Sequence, residues 1–202
     1  MNIFALHNDP KEAARMMCDK HVIKMIIETA QILSCVLDKR YRKDCKSETD
    51  TLQPSERLGL PQYPKAHAKH PCTLWAMESK ANFNWLRKHL RELCWQYSVR
   101  YPNRNGSMKA HSLEWTAMVY DAQADYLEFD KQRRTPFAQA MPVEYKNPED
   151  PVGAYRTYYL MDKTFAQWKR VETPSWYAYG RILMLHTSKS VTQIHTRQEL
   201  AA

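Results

Sequence analysis

Apolar residues recur at helical spacing along the N-terminal part of the chain, where Met16, Met17, Ile23, Ile26, Ile27, Ala30 and Leu33 follow the turns of one helix. Asp9-Pro10-Lys11-Glu12 supplies its start: Asp9 as cap, proline at the first helical position, Glu12 at a box-like spacing. The pattern predicts a helix from there to about Leu37. Residues 2–6 (NIFAL) form a short apolar run ahead of it, readable as a strand or as an anchored terminus.

The pattern breaks from Asp38 to Lys69. A basic cluster (Lys39, Arg40, Arg42, Lys43, Lys46) and then Pro54, Pro61 and Pro64 predict a long surface connection. A second helix is expected from His70-Pro71 to about Tyr97, with Leu74, Trp75, Phe83, Leu86, Leu90 and Leu93 along one face. A third is expected over Ser112–Phe129, capped by Ser112. Thr135–Pro151 carries four prolines and reads as irregular; Asp150-Pro151 then repeats the capped start, predicting a helix over Val152–Trp168. Ile182–Leu185 is the last apolar stretch. The expected architecture is mainly α: a compact single helical domain over 1–185 with long irregular proline-containing loops, and a loosely ordered C-terminal tail at 186–202.

Composition narrows this picture. With 4 Gly in 202 residues, a turn-rich sandwich or a Gly-rich phosphate loop is a poor fit. The 30 Lys and Arg against 22 Asp and Glu give a net charge of +8. That balance suits a phosphate-rich partner, since phosphate neutralisation releases counterions, or equally a basic surface that only keeps the protein soluble. The cysteines are odd in number and form no C-x-x-C pair, which points to reduced thiols in a cytosolic compartment rather than a disulfide framework or a four-cysteine zinc site. No signal-peptide pattern opens the chain, and no apolar run approaches the ~20 residues of a membrane span. The expectation is a cytoplasmic protein without a membrane partner.

His21, Lys24, Glu28 and Gln31, spaced by three or four residues, share one face of the first helix. They form either a solvated face with weak pairs or the polar wall of an active site on an otherwise enclosed helix. Lys24 ahead of Glu28 is the less favourable order for a helix pair, which weakens the first reading. His67, His70 and Cys72 contain metal-binding groups, but a closed zinc site needs four ligands; His70 as the cap of the helix that Pro71 begins is the preferred reading, and no metal or cofactor is assigned. Of the aromatics, Tyr158, Phe165 and Trp168 are expected in the core. Trp176, Tyr177 and Tyr179, outside any clear helix and next to Gly180 and Arg181, suit base stacking beside phosphate contacts, or a hydrophobic C-terminal plug.

Two of these stretches together resemble the phage pyrimidine-dimer DNA glycosylases, the endonuclease V-like family. Its members carry Asp-x-His-aliphatic with a catalytic Glu seven residues after the His; Asp19-Lys20-His21-Val22 is followed by Glu28 at that spacing. They end in Trp-Tyr-Lys-Tyr-Tyr-Gly-Lys, and this chain has Trp176-Tyr177-Ala178-Tyr179-Gly180-Arg181, one residue shorter. His70 and the segment Phe83–Tyr97 resemble the family's central helix. The start of the chain is also similar to uncharacterised phage proteins.

The resemblance implies a glycosylase/AP lyase acting on a damaged or modified base, with duplex DNA ahead of single strands as partner and host cytoplasm as location. An N-terminal amine attacks C1′ to form an imine, and a Glu carboxylate supports sugar opening and elimination. An α-amino group, titrating near ~7.7–8.0, is nucleophilic at neutral pH in a way that a Lys amine at ~10.4 is not. The implied catalytic residues are Met1, Glu28 and His21, and the implied nucleic-acid contacts are Asn2, Lys24, Gln31, Arg40, His70, Trp176, Tyr177, Tyr179 and Arg181. The chain departs from the family at residue 2, Asn in place of Thr, and beside Glu28, where Ile27 and Gln31 replace arginines. A non-catalytic phage nucleic-acid-binding or host-takeover protein, and an enzyme processing modified thymine bases, are the rival readings.

Overall fold

A computed structural model describes residues 1–44 and 67–186, with the side chains of 40–44 outside that description. The fold is mainly α, with no β-strand among the described residues. Its helices are α1 (Pro10–Met16), α2 (Asp19–Asp44), α3 (Pro71–Glu78), α4 (Lys80–Arg100), α5 (Glu114–Gln123), α6 (Pro151–Asp162) and α7 (175–186). None is long and apolar enough to cross a membrane among the described residues. α2 and α4 pack on each other at the centre, α1 lies against α4, and α3 against α2.

The first expected helix is two. Asp9 caps α1 through bonds from the Lys11 and Glu12 amides, but the chain turns extended at Met17 (ψ 142°) and restarts at Asp19. No proline or glycine marks the break. A guanidinium from the far end of α4 seals it: Arg100 donates to the Met17 carbonyl at 2.6 Å and the Arg15 carbonyl at 2.8 Å, and pairs with Asp19 at 3.3 Å. Trp168 Nε1 donates to the Met16 carbonyl at 3.2 Å. The carbonyls that a continuous helix would have satisfied internally thus find distant donors.

α2 also continues to Asp44, so the expected connection from Asp38 begins as helix. The rest of that connection, 45–66, lies outside the described residues, as does the tail beyond 186. The second expected helix is interrupted at Ser79, whose extended backbone forms a bridge with Lys131 while its Oγ caps α4. His70 caps α3 as expected, accepting from the Cys72 amide. The third helix is shorter than expected: Leu113, not Ser112, precedes it without a side-chain cap, and it tightens into a 3-10 turn at Ala124–Tyr126. Residues 2–6 are an anchored terminus, not a strand, with positive φ at Phe4.

α6 stops at Asp162, six residues short of the expected Trp168, and Phe165 is 42% exposed rather than in the core. The core aromatics of α6 are Tyr155 and Tyr159, both fully buried. The motif Pro174–Arg181, read from sequence as lying outside any clear helix, falls, after its proline, in the helix over 175–186 together with the apolar stretch Ile182–Leu185. Gly180 looks like a loop signal but serves close packing: a Cβ there would lie 2.6 Å from Leu160 Cδ2.

Two buried histidines make stability depend on pH. Burial lowers His89 to about 4; its Nδ1 proton goes to the Pro10 carbonyl and Nε2 has no partner among the described residues. Burial, then Lys163 and Lys24, lowers His21 to about 4. Both bind a proton more readily unfolded, near 6.5, than folded. Their stabilising effect is therefore complete above pH 6.5 and is lost progressively as pH falls from 6.5 towards 4. Urea midpoints measured from pH 8 to pH 4 should fall by an amount worth a few kcal/mol across that window. His89→Gln, which cannot titrate, should flatten the curve.

Candidate active site

The N-terminus meets the middle of α2. The backbone N–H of Asn2 donates to Glu28 Oε2 at 2.9 Å. Three covalent bonds separate that nitrogen from the Met1 amine, so the amine lies within roughly 4 Å of it and within about 7 Å of the same carboxylate oxygen. Glu28 is partly buried, and exposed Lys24 sits one turn earlier at 3.5 Å from its other oxygen.

A side-chain clamp holds Asn2. Its Nδ2 donates to the Ala140 carbonyl at 2.8 Å, and its Oδ1 accepts from the amides of Ile3 and Phe4. Ala140 is fixed in turn by α6: its amide donates to the Tyr155 hydroxyl, which donates to the Ala138 carbonyl at 2.7 Å. The proline-rich segment 135–151, irregular as expected, is therefore anchored where it touches the terminus.

His70 and Cys72 complete the neighbourhood. Burial lowers His70, the N-terminal charge and His67 lower it further, and Glu28 opposes them. Burial raises Cys72 to about 12, with the N-terminal charge and Tyr155 acting against it and Glu28 adding to it. That places an amine, a carboxylate and an imidazole in one electrostatic neighbourhood beside a protonated, unreactive thiol. Among the described residues no group of three or more His, Cys, Asp and Glu side chains could hold a metal ion.

His21 lies two turns before Glu28, about 10 Å along α2, and turns inward. Its ring stacks on Phe4 with centroids 4.5 Å apart, and Nδ1 lies 2.7 Å from the Tyr159 hydroxyl. That hydroxyl accepts from the Cys18 amide, which leaves its own proton for a neutral His21. Gln31 is half-buried one turn beyond Glu28. Arg40 falls within α2, with its side chain outside the described residues.

The C-terminal motif divides. Tyr177 is buried against Trp168 and Trp176, and Trp176 packs on Tyr159 beneath the Arg156 guanidinium. Tyr179 is 64% exposed and Arg181 half-buried. The structure thus brings Met1, Asn2, Glu28, Lys24 and His70 together, and sets Trp176 and Tyr177 behind His21 as packing. Sequence reasoning missed Ala140 and Tyr155; a backbone carbonyl in an irregular segment leaves no signal, and Tyr155 reads as one core aromatic among several.

A family model described as pyrimidine dimer DNA glycosylase matches residues 1–109, more than half of the chain. No curated protein and no solved structure matches it.

Proposed function

The chain belongs to the pyrimidine dimer DNA glycosylase family, and from that premise we propose that it excises a damaged or modified pyrimidine from duplex DNA and cleaves the strand. The observation that supports this reading is the 2.9 Å bond from the Asn2 amide to Glu28, which brings the start of the chain to a carboxylate.

The Met1 amine attacks C1′ and the bond from C1′ to the base breaks, the base leaving with the electron pair and taking up a proton. Opening of the sugar ring gives an imine between the amine and C1′. Loss of a C2′ proton expels the 3′ phosphate, and water then hydrolyses the imine to restore the amine. Glu28 is the group placed to receive and return protons during ring opening and elimination. His21 is a positioning residue that holds Phe4, and through it the terminal segment. Lys24, Gln31, Arg40, His70, Tyr179 and Arg181 are proposed to face the nucleic acid, with Asn2 fixing the terminus and Trp176 and Tyr177 supporting the motif from beneath.

The rival is a DNA-binding protein without turnover. It is favoured by exposed Ile27 and half-buried Gln31 where the family carries arginines. Borohydride treatment with duplex DNA containing one abasic site separates the two. An adduct mapped by mass spectrometry to the terminal amine is the expected result; retained binding with no adduct would leave the non-catalytic reading standing.

A further inference from the structure

A cavity of about 600 Å³ opens at the start of α2, away from Glu28. Lys20, Arg100, Lys109, Lys169 and Arg170 line it, against one carboxylate, Asp19. That carboxylate is already engaged, with Oδ1 on Arg100 at 3.3 Å and Oδ2 accepting from the Lys169 amide at 2.9 Å. Lys20, Lys109, Lys169 and Arg170 have no ion pair among the described residues. Four unneutralised cations converging on one cavity attract an anion.

The walls are apolar where the cations are not. Tyr97 stacks tilted on Tyr101 with centroids 5.2 Å apart and meets His111 edge-on, while Phe165 lies under the Lys20 ammonium at 5.2 Å. The rim is well fixed. Residues 167–169 are strapped to the α1–α2 junction, because the Asp19 amide donates to the Gln167 carbonyl and Asp19 Oδ2 takes the Lys169 amide. The loop carrying Lys109 turns at Gly106, φ +81°, and closes through the bond from the Asn103 amide to the Ser107 carbonyl. Phe165, Lys169 and Arg170 come from beyond residue 109, the part of the chain that the family model does not reach.

Lys20 and Ile23 on the cavity edge lie eight and five residues before Glu28, which is about 12 and 7.5 Å along α2. At 3.4 Å per base step, that is roughly two to four steps of a duplex. The exposed residues between them, Lys24 and Ile27, continue the same helix face. We propose that this cavity is a phosphodiester subsite, holding the DNA backbone two to four steps to one side of the nucleotide at Glu28, with sugars against Tyr97 and Tyr101. The proposal rests on the DNA reading above.

The test is fluorescence anisotropy against salt concentration, using duplexes with one abasic site whose phosphodiesters two to four steps away, on both sides, are either native or replaced by neutral methylphosphonates. On the native backbone, the Lys109→Ala/Lys169→Ala/Arg170→Ala protein should show a plot of log affinity against log salt shallower by about two to three, about 0.9 for each lost phosphate contact. On the neutralised backbone it should match the wild type. A Lys11→Ala/Lys88→Ala/Lys146→Ala protein, which removes the same charge elsewhere, should keep the wild-type slope on both.

Equal slopes for wild type and the first variant on the native backbone, or an equal loss on the neutralised backbone, would overturn the subsite. So would an equal effect of the control variant. Inorganic phosphate alone provides a further arm: thermal stabilisation that the first variant loses, with its DNA slope unchanged, would make the cavity a free-anion site instead. Absence of wild-type binding to any duplex would overturn the DNA reading itself, and this subsite with it.

Discussion

Glu28→Gln should lower strand cleavage by about 10²–10⁴-fold while DNA binding is retained. The substitution keeps the shape of the side chain and an oxygen to accept the Asn2 amide, so the terminus should stay seated. It removes the proton acceptor and the partner of Lys24. A freed Lys24 and one less negative charge should make binding slightly tighter, which separates a chemical defect from a folding or docking one. Single-turnover cleavage of dimer-containing duplex, with anisotropy at the same salt, reads both quantities. Cleavage within threefold of wild type would remove Glu28 from the mechanism.

The second large effect concerns stability. Arg100→Ala should destabilise the fold by about 3–5 kcal/mol, the range for breaking one side of a buried ion pair. The Arg100 side chain is 1% exposed and also bonds Gln96 Oε1 at 2.9 Å, so its removal orphans two carbonyls and two side chains together. Burial pulls the guanidinium below its usual range and Asp19 pulls it back. Arg100→Lys should recover little, because one ammonium cannot reach both the Met17 and the Arg15 carbonyls in the geometry of a fork. Denaturant midpoints for the two variants check this, and a loss under 1 kcal/mol for Arg100→Ala would contradict the account of the helix break.

The same residue shows where sequence reading stopped. Periodicity located the buried face of α4 and, at Ile26, Ala30 and Leu33, part of that of α2, whereas Ile23 and Ile27 on the same expected face are exposed; Asp9, His70 and Asp150 with their following prolines marked three helix starts that the structure retains. Breaks at Met17 and Ser79 were not legible, because their causes lie far along the chain: Arg100 and Trp168 in one case, Lys131 in the other. Helical spacing, a local signal, singled out Glu28 as one member of a polar stripe on α2. The seating of the terminus against it depends on Ala140 and Tyr155, in a segment whose prolines indicate only that it is irregular. Gly180 misled in the opposite direction, since a glycine chosen for contact with Leu160 carries the same letter as one chosen for a turn.

The Asn2–Ala140 clamp also bears on how little of this protein could work alone. Residues 1–109 contain the amine, Glu28 and His70, yet the Ala140 carbonyl that holds Asn2, the Tyr155 hydroxyl that takes the Ala140 amide, and the Tyr159 hydroxyl beneath His21 all come later in the chain. A polypeptide still emerging from the ribosome would carry Asn2 and Glu28 long before it carried the segment that clamps them together. A fragment ending at residue 109, where the family match stops, should therefore neither seat Asn2 against Glu28 nor cleave DNA.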